Sequence, residues 1–270
     1  MLKSRIITAV ILLLALLLVL FALPDAWWVA VVVVVVMQGT LEWSRLSKLT
    51  GRSTYLYGAL TLAMALAMVW FDANHTGAEQ VIPHLLVYAV AALLWLIIVP
   101  TWMIAGWRCD NKWLMCLTGW AVLLPTGLAM LDLHAKGPWV LLLLMGLVWV
   151  ADIGAYFSGR KYGKNKLAPS ISPGKTWEGV AGGMLGASLY VLIVWYFTSI
   201  AMLPAMLLAA WWWVGLAVIG DLFESLIKRQ AGVKDSGALL PGHGGLLDRI
   251  DALTSTLPLA AMVILFGQLS

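Results

Sequence analysis

The chain has 270 residues, of which 62% are hydrophobic and 11% are charged, and its formal net charge is +4. A soluble domain of this length cannot bury so much apolar surface, so the composition excludes a soluble globular protein and indicates a polytopic membrane protein. The two cysteines, Cys109 and Cys116, have no neighbouring His or second Cys pair, which argues against a zinc site or a disulfide framework.

Apolar runs long enough to cross a bilayer, roughly 17–25 residues, follow one another along the whole chain. They are continuous rather than alternating, which excludes a closed β-barrel. The first run lacks a small-residue cleavage site, so we interpret it as a retained helix and not as a signal peptide. We predict an all-α polytopic membrane helical bundle of about nine transmembrane helices, at residues 6–23, 26–42, 55–71, 82–102, 113–131, 138–158, 177–199, 204–227 and 251–269.

The basic residues predict how these helices are oriented. If the N-terminus lies in the cytoplasm, every one of the 17 Lys and Arg residues except Lys136 falls on the cytoplasmic side. Such an asymmetry is typical of membrane proteins and favours an N-in, C-out orientation. Residues 1–137 carry few intramembrane charges, so we assign helices one to five to support and oligomer contact. Residues 138–270, with helices six to nine and their cytoplasmic loops, form the predicted catalytic part.

A polar stripe occupies the end of predicted span eight. Asp221, Glu224, Ser225 and Lys228 share one helical face, and such a stripe must face protein, water or an ion rather than lipid. The stripe is consistent with an ion site. It is also consistent with pairs within the helix, Asp221–Ser225 and Glu224–Lys228, that only meet each other's need for a hydrogen bond or an opposite charge.

A second acidic pair, Asp248 and Asp251, opens span nine. Carboxylates are favoured at a helix N-terminus, so capping is an alternative role for both, and Asp248 is the better candidate for a ligand. If the intervening loop folds back, Asp248 meets Asp221 at the cytoplasmic surface. Hard oxygen ligands of this kind suit Mg²⁺ completed by substrate phosphates.

The loop between these helices supplies groups for anionic oxygens. Lys228, Arg229 and Lys234 provide positive charge, and the glycines of the PGHGG segment let backbone N–H groups approach a phosphate. For His243 two roles are equally open, a proton shuttle or phosphate donor and a plain hydrogen bond within the loop.

Spans six and seven flank a third polar group. Asp152 lies inside the cytoplasmic end of span six and is followed by a basic loop. The positive charge of this loop is also explained by positive-inside topology or by binding to lipid headgroups. Ser172 to Thr176, including Lys175, reads as a phosphate-approaching turn that leads into the N-terminus of span seven. The glycine spacing is not that of a Walker A loop.

Three motifs together resemble the phosphatidate cytidylyltransferases, also called CDP-diacylglycerol synthases. The most specific is SLIKRQAGVKDSGALLPGHGGLLDRID at 225–251, and it is joined by DIGAYFSGR at 152–160 and ISPGKTWEG at 171–179. Gly174 stands where the family commonly has Lys, which removes one phosphate contact. The motifs cover about a third of the chain, all in its second half.

The resemblance implies that CTP and phosphatidic acid react to give CDP-diacylglycerol and pyrophosphate, with Mg²⁺ as the cofactor. From the charge of the substrates, a second cation beside Mg²⁺ is a further expectation. It implies metal ligation by Asp221 and Asp248. By position, Lys228, Arg229, Lys234 and Arg249 would have catalytic or phosphate-holding roles, and Ser172, Lys175 and Thr176 would contact substrate phosphates. From the polar groups described above, Asp152 and His243 are further candidates for contact with substrate. The expected setting is the bacterial cytoplasmic (inner) membrane, with the active site on the cytoplasmic side, a homodimer as the expected assembly, and no nucleic-acid partner.

Two other functions stay open on the sequence. A cation-coupled transporter would use Asp152 and Asp221 as ion sites, although the acids cluster at one face and no inverted repeat is evident. A CTP-dependent lipid kinase would release CDP instead of pyrophosphate.

Overall fold

A computed structural model of the chain describes residues 2–199, 202–239 and 244–267. Within these ranges the chain forms ten α-helices and one small β-hairpin. A π-helical turn at Leu94–Ile98 continues one of these helices into the next. The elements are α1 (Leu2–Phe21), α2 (Asp25–Leu46), α3 (Arg52–Asn74), α4 (Ala78–Leu93), α5 (Val99–Ala105), α6 (Lys112–Ala135), α7 (Pro138–Tyr162), β1 (Lys166–Ala168), β2 (Ser172–Thr176), α8 (Trp177–Thr198), α9 (Leu203–Ala231) and α10 (Leu247–Phe266).

The helices match the predicted spans. Among the described residues, eight helical segments are long and apolar enough to cross a membrane, with α4 and α5 counted as one. The first helix adds a shorter apolar stretch, Val10–Phe21. At a rise of about 1.5 Å per residue, helices of 20 or more residues span the roughly 30 Å hydrocarbon layer. The all-α membrane bundle is therefore confirmed, and each of the nine predicted spans corresponds to one helical segment.

Helices α6 and α10 form the centre of the bundle. In their most apolar windows 72% and 67% of the residues are buried, against 22–39% in the other six span-length segments of the described chain. The two helices touch directly, with the Thr126 hydroxyl 3.4 Å from the carbonyl oxygen of Thr254. The peripheral helices expose apolar side chains such as Leu185 and Phe197. These side chains would contact lipid and not water in a membrane, so their exposure has no hydrophobic cost.

Glycines bring two helix pairs into close backbone contact. A Cβ atom at Gly154 of α7 would lie 2.6 Å from the carbonyl oxygen of Gly182 in α8. A Cβ atom at Gly220 of α9 would lie 2.6 Å from the carbonyl oxygen of Asp251 in α10. Small residues permit this approach in membrane bundles. As a result, the polar residues next to these glycines lie close to the facing helix.

Two local predictions were wrong. The segment Ser172–Thr176 is the strand β2 rather than a turn, and it pairs antiparallel with β1. The tight turn falls instead at residues 169–171, because the pairing of Ala168 with Ser172 requires the chain to reverse there. Lys228 and Arg229 lie in the last turns of α9 and not in the loop, since α9 continues until Gly232, whose φ of +80° ends it.

Candidate active site

A cavity of about 450 Å³ opens at one end of the bundle, where α7, α8, α9, α10 and the hairpin meet. Its wall is rich in charge for a membrane protein, in which unpaired charge is costly. Four carboxylates and three bases line it: Asp152, Asp221, Asp248, Asp251, Arg160, Lys175 and Arg249.

Asp221 lies on α9 directly after Gly220, facing the hairpin and α10. Its Oδ2 atom is 2.5 Å from Nζ of Lys175, which β2 contributes. The hydroxyl of Ser225 lies at the longer distance of 3.4 Å from Oδ1. The side chain of Asp221 is 36% exposed and that of Lys175 is 23% exposed, so this ion pair faces the open cavity. The predicted Asp221–Ser225 pair exists, but Lys175 is the stronger partner.

The side chain of Asp248 is only 6% exposed, and both of its carboxylate oxygens have partners. Its Oδ1 atom is 2.5 Å from Nζ of Lys228, which also lies 3.1 Å from Oε1 of Glu224. Its Oδ2 atom accepts hydrogen bonds from the Ser236 amide at 3.0 Å, the Ser236 hydroxyl at 3.0 Å and the Gly245 amide at 2.8 Å. Asp248 thus joins α9, the loop and the first turn of α10.

The structure brings Asp221 and Asp248 to one cavity, which is the arrangement expected from the sequence if the intervening loop folds back. Lys175, Thr176, Arg249 and Asp152 lie on the same wall. The hydroxyl of Thr176 also caps α8 by accepting from the Gly179 amide at 3.1 Å.

The remaining predicted residues have other positions. In the described part of the chain, Arg229 and Lys234 are exposed and are not among the residues that line the cavity, and neither is Ser172. Arg229 donates to the carbonyl of Val233 at 3.3 Å. His243 lies outside the described residues.

Sequence reasoning ranked one contributor too low and missed another. Asp251, for which capping was the favoured role, lines the cavity, and its Oδ1 accepts from the Ala252 amide at 2.8 Å. Glu42 of α2 reaches the loop and α10 from the first part of the chain, where its carboxylate accepts from the Ser236 hydroxyl at 2.8 Å. A carboxylate within an apolar span was the available signal.

The donor set of the cavity fits a hard divalent cation. Carboxylate oxygens are the ligands that Mg²⁺ prefers, and anionic phosphates commonly complete its coordination. Asp221 offers the more open carboxylate, with Asp152 and Asp251 on the same wall. In Asp248, Oδ2 is held by three donors, while Oδ1 has Lys228 as its partner.

A second titratable cluster lies near the other end of the helices. His84 of α4 stands between two carboxylates, with Nε2 2.8 Å from Oδ1 of Asp72 and Nδ1 3.0 Å from Oδ2 of Asp132. The hydroxyl of Tyr88 donates to Asp132 at 2.6 Å. Ligand atoms of the two Asp and the His lie within 4.8 Å of one another. Since each ring nitrogen already faces a carboxylate, the cluster is best described as a clamp that joins α3, α4 and α6.

Comparison with known proteins extends the similarity beyond the three motifs. A family described as the Cytidylyltransferase family matches residues 3–266. A protein of Pseudomonas aeruginosa named phosphatidate cytidylyltransferase is 40% identical, covering 98% of this chain and 97% of the relative. One of the same name from Haemophilus influenzae is 33% identical, covering 96% of each chain. A third, from Brucella suis, is 47% identical over about half of each chain.

Proposed function

The chain belongs to the cytidylyltransferase family, and we propose that its cavity between α7, α8, α9 and α10 carries the cytidylyl transfer. The protein is a membrane enzyme, a nucleotidyltransferase that transfers the cytidylyl group of CTP to phosphatidic acid and so forms CDP-diacylglycerol and pyrophosphate for phospholipid synthesis. The observation that supports the cavity as the site is the meeting of four carboxylates with Lys175, Arg160 and Arg249 on one wall.

The chemistry requires little proton transfer. The phosphate of phosphatidic acid is already an anion and attacks the α-phosphorus of CTP directly. The bond from that phosphorus to the oxygen bridging to the β-phosphate breaks as the new one forms, and pyrophosphate leaves with the electron pair. Repulsion between the two anionic substrates is the main barrier, so positioning and charge neutralisation dominate.

The bases of the wall are placed to neutralise that charge. Lys175, on the wall, is paired with Asp221, and Lys228, which lies in α9 and is not among the described wall residues, is paired with Asp248. An arriving triphosphate offers each lysine a stronger anion, and the turn of a lysine towards it frees a carboxylate oxygen. Arg249 and Arg160, with their planar groups, can bind two phosphate oxygens at once.

Asp221 and Asp248 are the residues that would hold Mg²⁺. When bound, Mg²⁺ supplies positive charge to the triphosphate and to the departing pyrophosphate. Asp152 and Asp251 leave further negative charge on the same wall, which supports a second cation. Arg229, in the last turn of α9, and Lys234, in the loop that follows, are both exposed, and we propose that they attract the anionic substrates from outside the cavity. For Ser172 and Thr176 we keep the proposal of contact with substrate phosphate, and for His243 the choice between two roles stays open.

The lipid substrate is proposed to enter sideways past α7. Tyr156, at the edge of the cavity, is 58% exposed, and neighbouring Ile153 and Phe157 are 57% and 65% exposed. Arg160 donates to the Tyr156 hydroxyl at 3.0 Å. An apolar face beside a basic residue suits a phospholipid, whose acyl chains remain in the membrane while its phosphate reaches the cavity.

The cavity is proposed to face the cytoplasm, where CTP is available. Apart from Lys136, the chain's 17 Lys and Arg residues fall at the cytoplasmic ends of the helices if the N-terminus lies inside. A bacterial inner-membrane setting agrees with the bacterial relatives. Self-association through residues 1–137 as a homodimer stays a prediction, for which the mass of the detergent-solubilised protein is the measurement.

Product analysis tests the function. Purified protein in detergent is incubated with CTP, Mg²⁺ and short-chain phosphatidic acid, and the products are identified by mass. We expect CDP-lipid and pyrophosphate in equal amounts. Release of CDP with a phosphorylated lipid would instead indicate a lipid kinase, and the absence of any product would leave an ion-binding transporter as the better account.

A further inference from the structure

Glu42 is a fully buried carboxylate near the end of α2, with none of its surface exposed. Its Oε1 atom accepts from the side chain of Gln38 at 2.9 Å and from the amide of Leu246 at 2.8 Å. Its Oε2 atom accepts from the hydroxyl of Ser236 at 2.8 Å and from the amide of Leu247 at 2.9 Å. Three of these four donors belong to the segment around the cavity, about 200 positions later in the chain.

The start of α10 depends on this distant carboxylate. The first amides of a helix have no partner within it, and a negative charge there is favoured by the helix dipole. Leu246, which precedes the helix, provides no side-chain cap. Glu42 satisfies the amides of Leu246 and Leu247 from outside, with charge-assisted hydrogen bonds that are stronger than neutral ones.

Ser236 connects Glu42 to Asp248. Its hydroxyl oxygen lies 2.8 Å from Oε2 of Glu42 and 3.0 Å from Oδ2 of Asp248, and its amide donates to the same Asp248 oxygen at 3.0 Å. One hydroxyl proton serves one of these carboxylates at a time. Because the Ser236 amide also donates to Asp248, the hydroxyl proton can go to Glu42, and Ser236 then links the two carboxylates.

Two loop glycines leave room for the Glu42 carboxylate. A Cβ atom at Gly237 would lie 3.0 Å from Oε1, and one at Gly245 would collide with Oε2. The absence of side chains at these positions lets the backbone close around Glu42. The glycines of the loop thus have a packing role at Glu42 in addition to any approach to phosphate.

We propose that Glu42 is a positioning residue of the active site, an anchor on α2 that fixes Ser236 and the first turn of α10. Through them it sets Asp248, whose Oδ1 faces Lys228. Glu42 acts through other residues, since it is buried and is not among the residues of the cavity wall in the described part of the chain. The role in turnover rests on the proposed function.

The test is Glu42→Gln, which keeps the shape and replaces one acceptor oxygen by a donating NH₂ group. In either orientation that group faces a backbone amide, that of Leu246 at the Oε1 position or that of Leu247 at the Oε2 position. We expect kcat to fall at least about 10-fold and the Mg²⁺ concentration for half-maximal rate to rise by a similar factor, as for other residues that orient metal ligands. Thr40→Val is the matched control, because Thr40 is equally buried in α2 but its hydroxyl donates within that helix, to Val36.

Hydrogen exchange tests whether Glu42 holds the start of α10, independently of any effect on turnover. Amides at residues 244–250 should exchange faster in Glu42→Gln, while those of α9 should not change. Ser236→Ala should lower kcat in the same direction, and adding it to Glu42→Gln should cost less than the product of the two single effects. If Glu42→Gln does not fold, the same exchange and Mg²⁺ measurements on Ser236→Ala test the positioning role in its place.

Unchanged exchange at 244–250, or unchanged kcat and Mg²⁺ dependence in folded Glu42→Gln, would overturn the positioning role. An equal loss in Thr40→Val would overturn it as well, because the effect would then reflect α2 packing alone. A wild-type protein that forms no CDP-lipid would instead overturn the proposed function, and the exchange measurement would still report whether Glu42 holds the start of α10.

Discussion

The Nζ atom of Lys228 lies 2.5 Å from Oδ1 of Asp248, although the two residues are 20 positions apart and belong to different helices. Their side chains are only 10% and 6% exposed. Glu224, 7% exposed, approaches the same lysine to 3.1 Å. One buried cation therefore balances two buried carboxylates and ties the end of α9 to the start of α10.

Lys228→Met is expected to destabilise the protein as well as inactivate it. Removal of the ammonium leaves Asp248 and Glu224 buried without their cation, and breaking a buried pair in this way costs about 3 kcal/mol. The free energy of unfolding in mixed micelles is the measurement. A Lys228→Met protein with wild-type stability would show that the pair is dispensable for the fold.

Lys175→Met is expected to separate activity from stability. The Lys175–Asp221 pair is more exposed than the Lys228–Asp248 pair, and exposed pairs contribute about 1 kcal/mol or less. Turnover should nevertheless fall at least about 10-fold, because Lys175 lines the cavity where phosphate charge must be neutralised. Unchanged turnover, measured beside Lys228→Met, would remove Lys175 from the site.

The sequence predicts the helices well because lipid imposes long apolar segments, and eight of those segments meet the length and composition needed for a span. The sequence also predicts that Asp221 and Asp248 share a site, because both fall at the predicted cytoplasmic ends of their spans. The strand at Ser172–Thr176 was not predicted, because a hairpin with strands of three and five residues leaves only a weak pattern in the sequence. The extent of α9 beyond Lys228 likewise depended on where Gly232 ends the helix.

Lys234→Ala is expected to weaken the use of CTP or lipid phosphate without stopping the reaction. Lys234 is exposed and outside the described cavity wall, so it acts at a distance through its charge. We expect KM to rise about 3-fold at low salt with kcat nearly unchanged, and the difference from wild type to shrink as added salt screens the charge. Kinetics at two salt concentrations measure this. A large loss of kcat, or no change in either constant, would contradict it.

His84→Ala is expected to reduce stability but not catalysis. The imidazole stands between Asp72 and Asp132, both far from the cavity, and its loss leaves two carboxylates facing each other in a mostly buried place. The free energy of unfolding should fall by about 3 kcal/mol, while turnover at low temperature stays within twofold. His75→Ala is the control, because His75 contacts only its own helix and the ring of Phe71 among the interactions described. A loss of turnover without a loss of stability would assign the cluster to the reaction.

Asp248→Asn is expected to abolish turnover while the protein stays folded. The amide keeps the shape but loses the charge that balances Lys228 and that would hold Mg²⁺, so a decrease of about 100-fold or more is expected. Asp110→Asn, at an exposed position in the loop before α6, controls for a charge change at the same end of the bundle. Full activity in Asp248→Asn would end the metal assignment, and an inactive Asp110→Asn would show that the effect is not specific to the cavity.

Glu42 shows what the sequence could not reveal. A single carboxylate in an apolar span signals a buried polar role, but its partners Ser236, Leu246 and Leu247 lie about 200 positions away. Two of the three partners contribute backbone amides, and a backbone amide carries no sequence signal. The contact becomes visible only when α2 is packed against the start of α10.

The fate of the α-phosphate of CTP, followed in wild-type protein and in Asp221→Asn side by side, tests the proposed site most directly. With CTP labelled at that phosphate, Mg²⁺ and phosphatidic acid, the wild-type protein should move the label into lipid and release unlabelled pyrophosphate. Folded Asp221→Asn should move almost none. Label that enters lipid equally well in Asp221→Asn, or that remains with the soluble nucleotide in the wild-type reaction, would contradict cytidylyl transfer at this cavity.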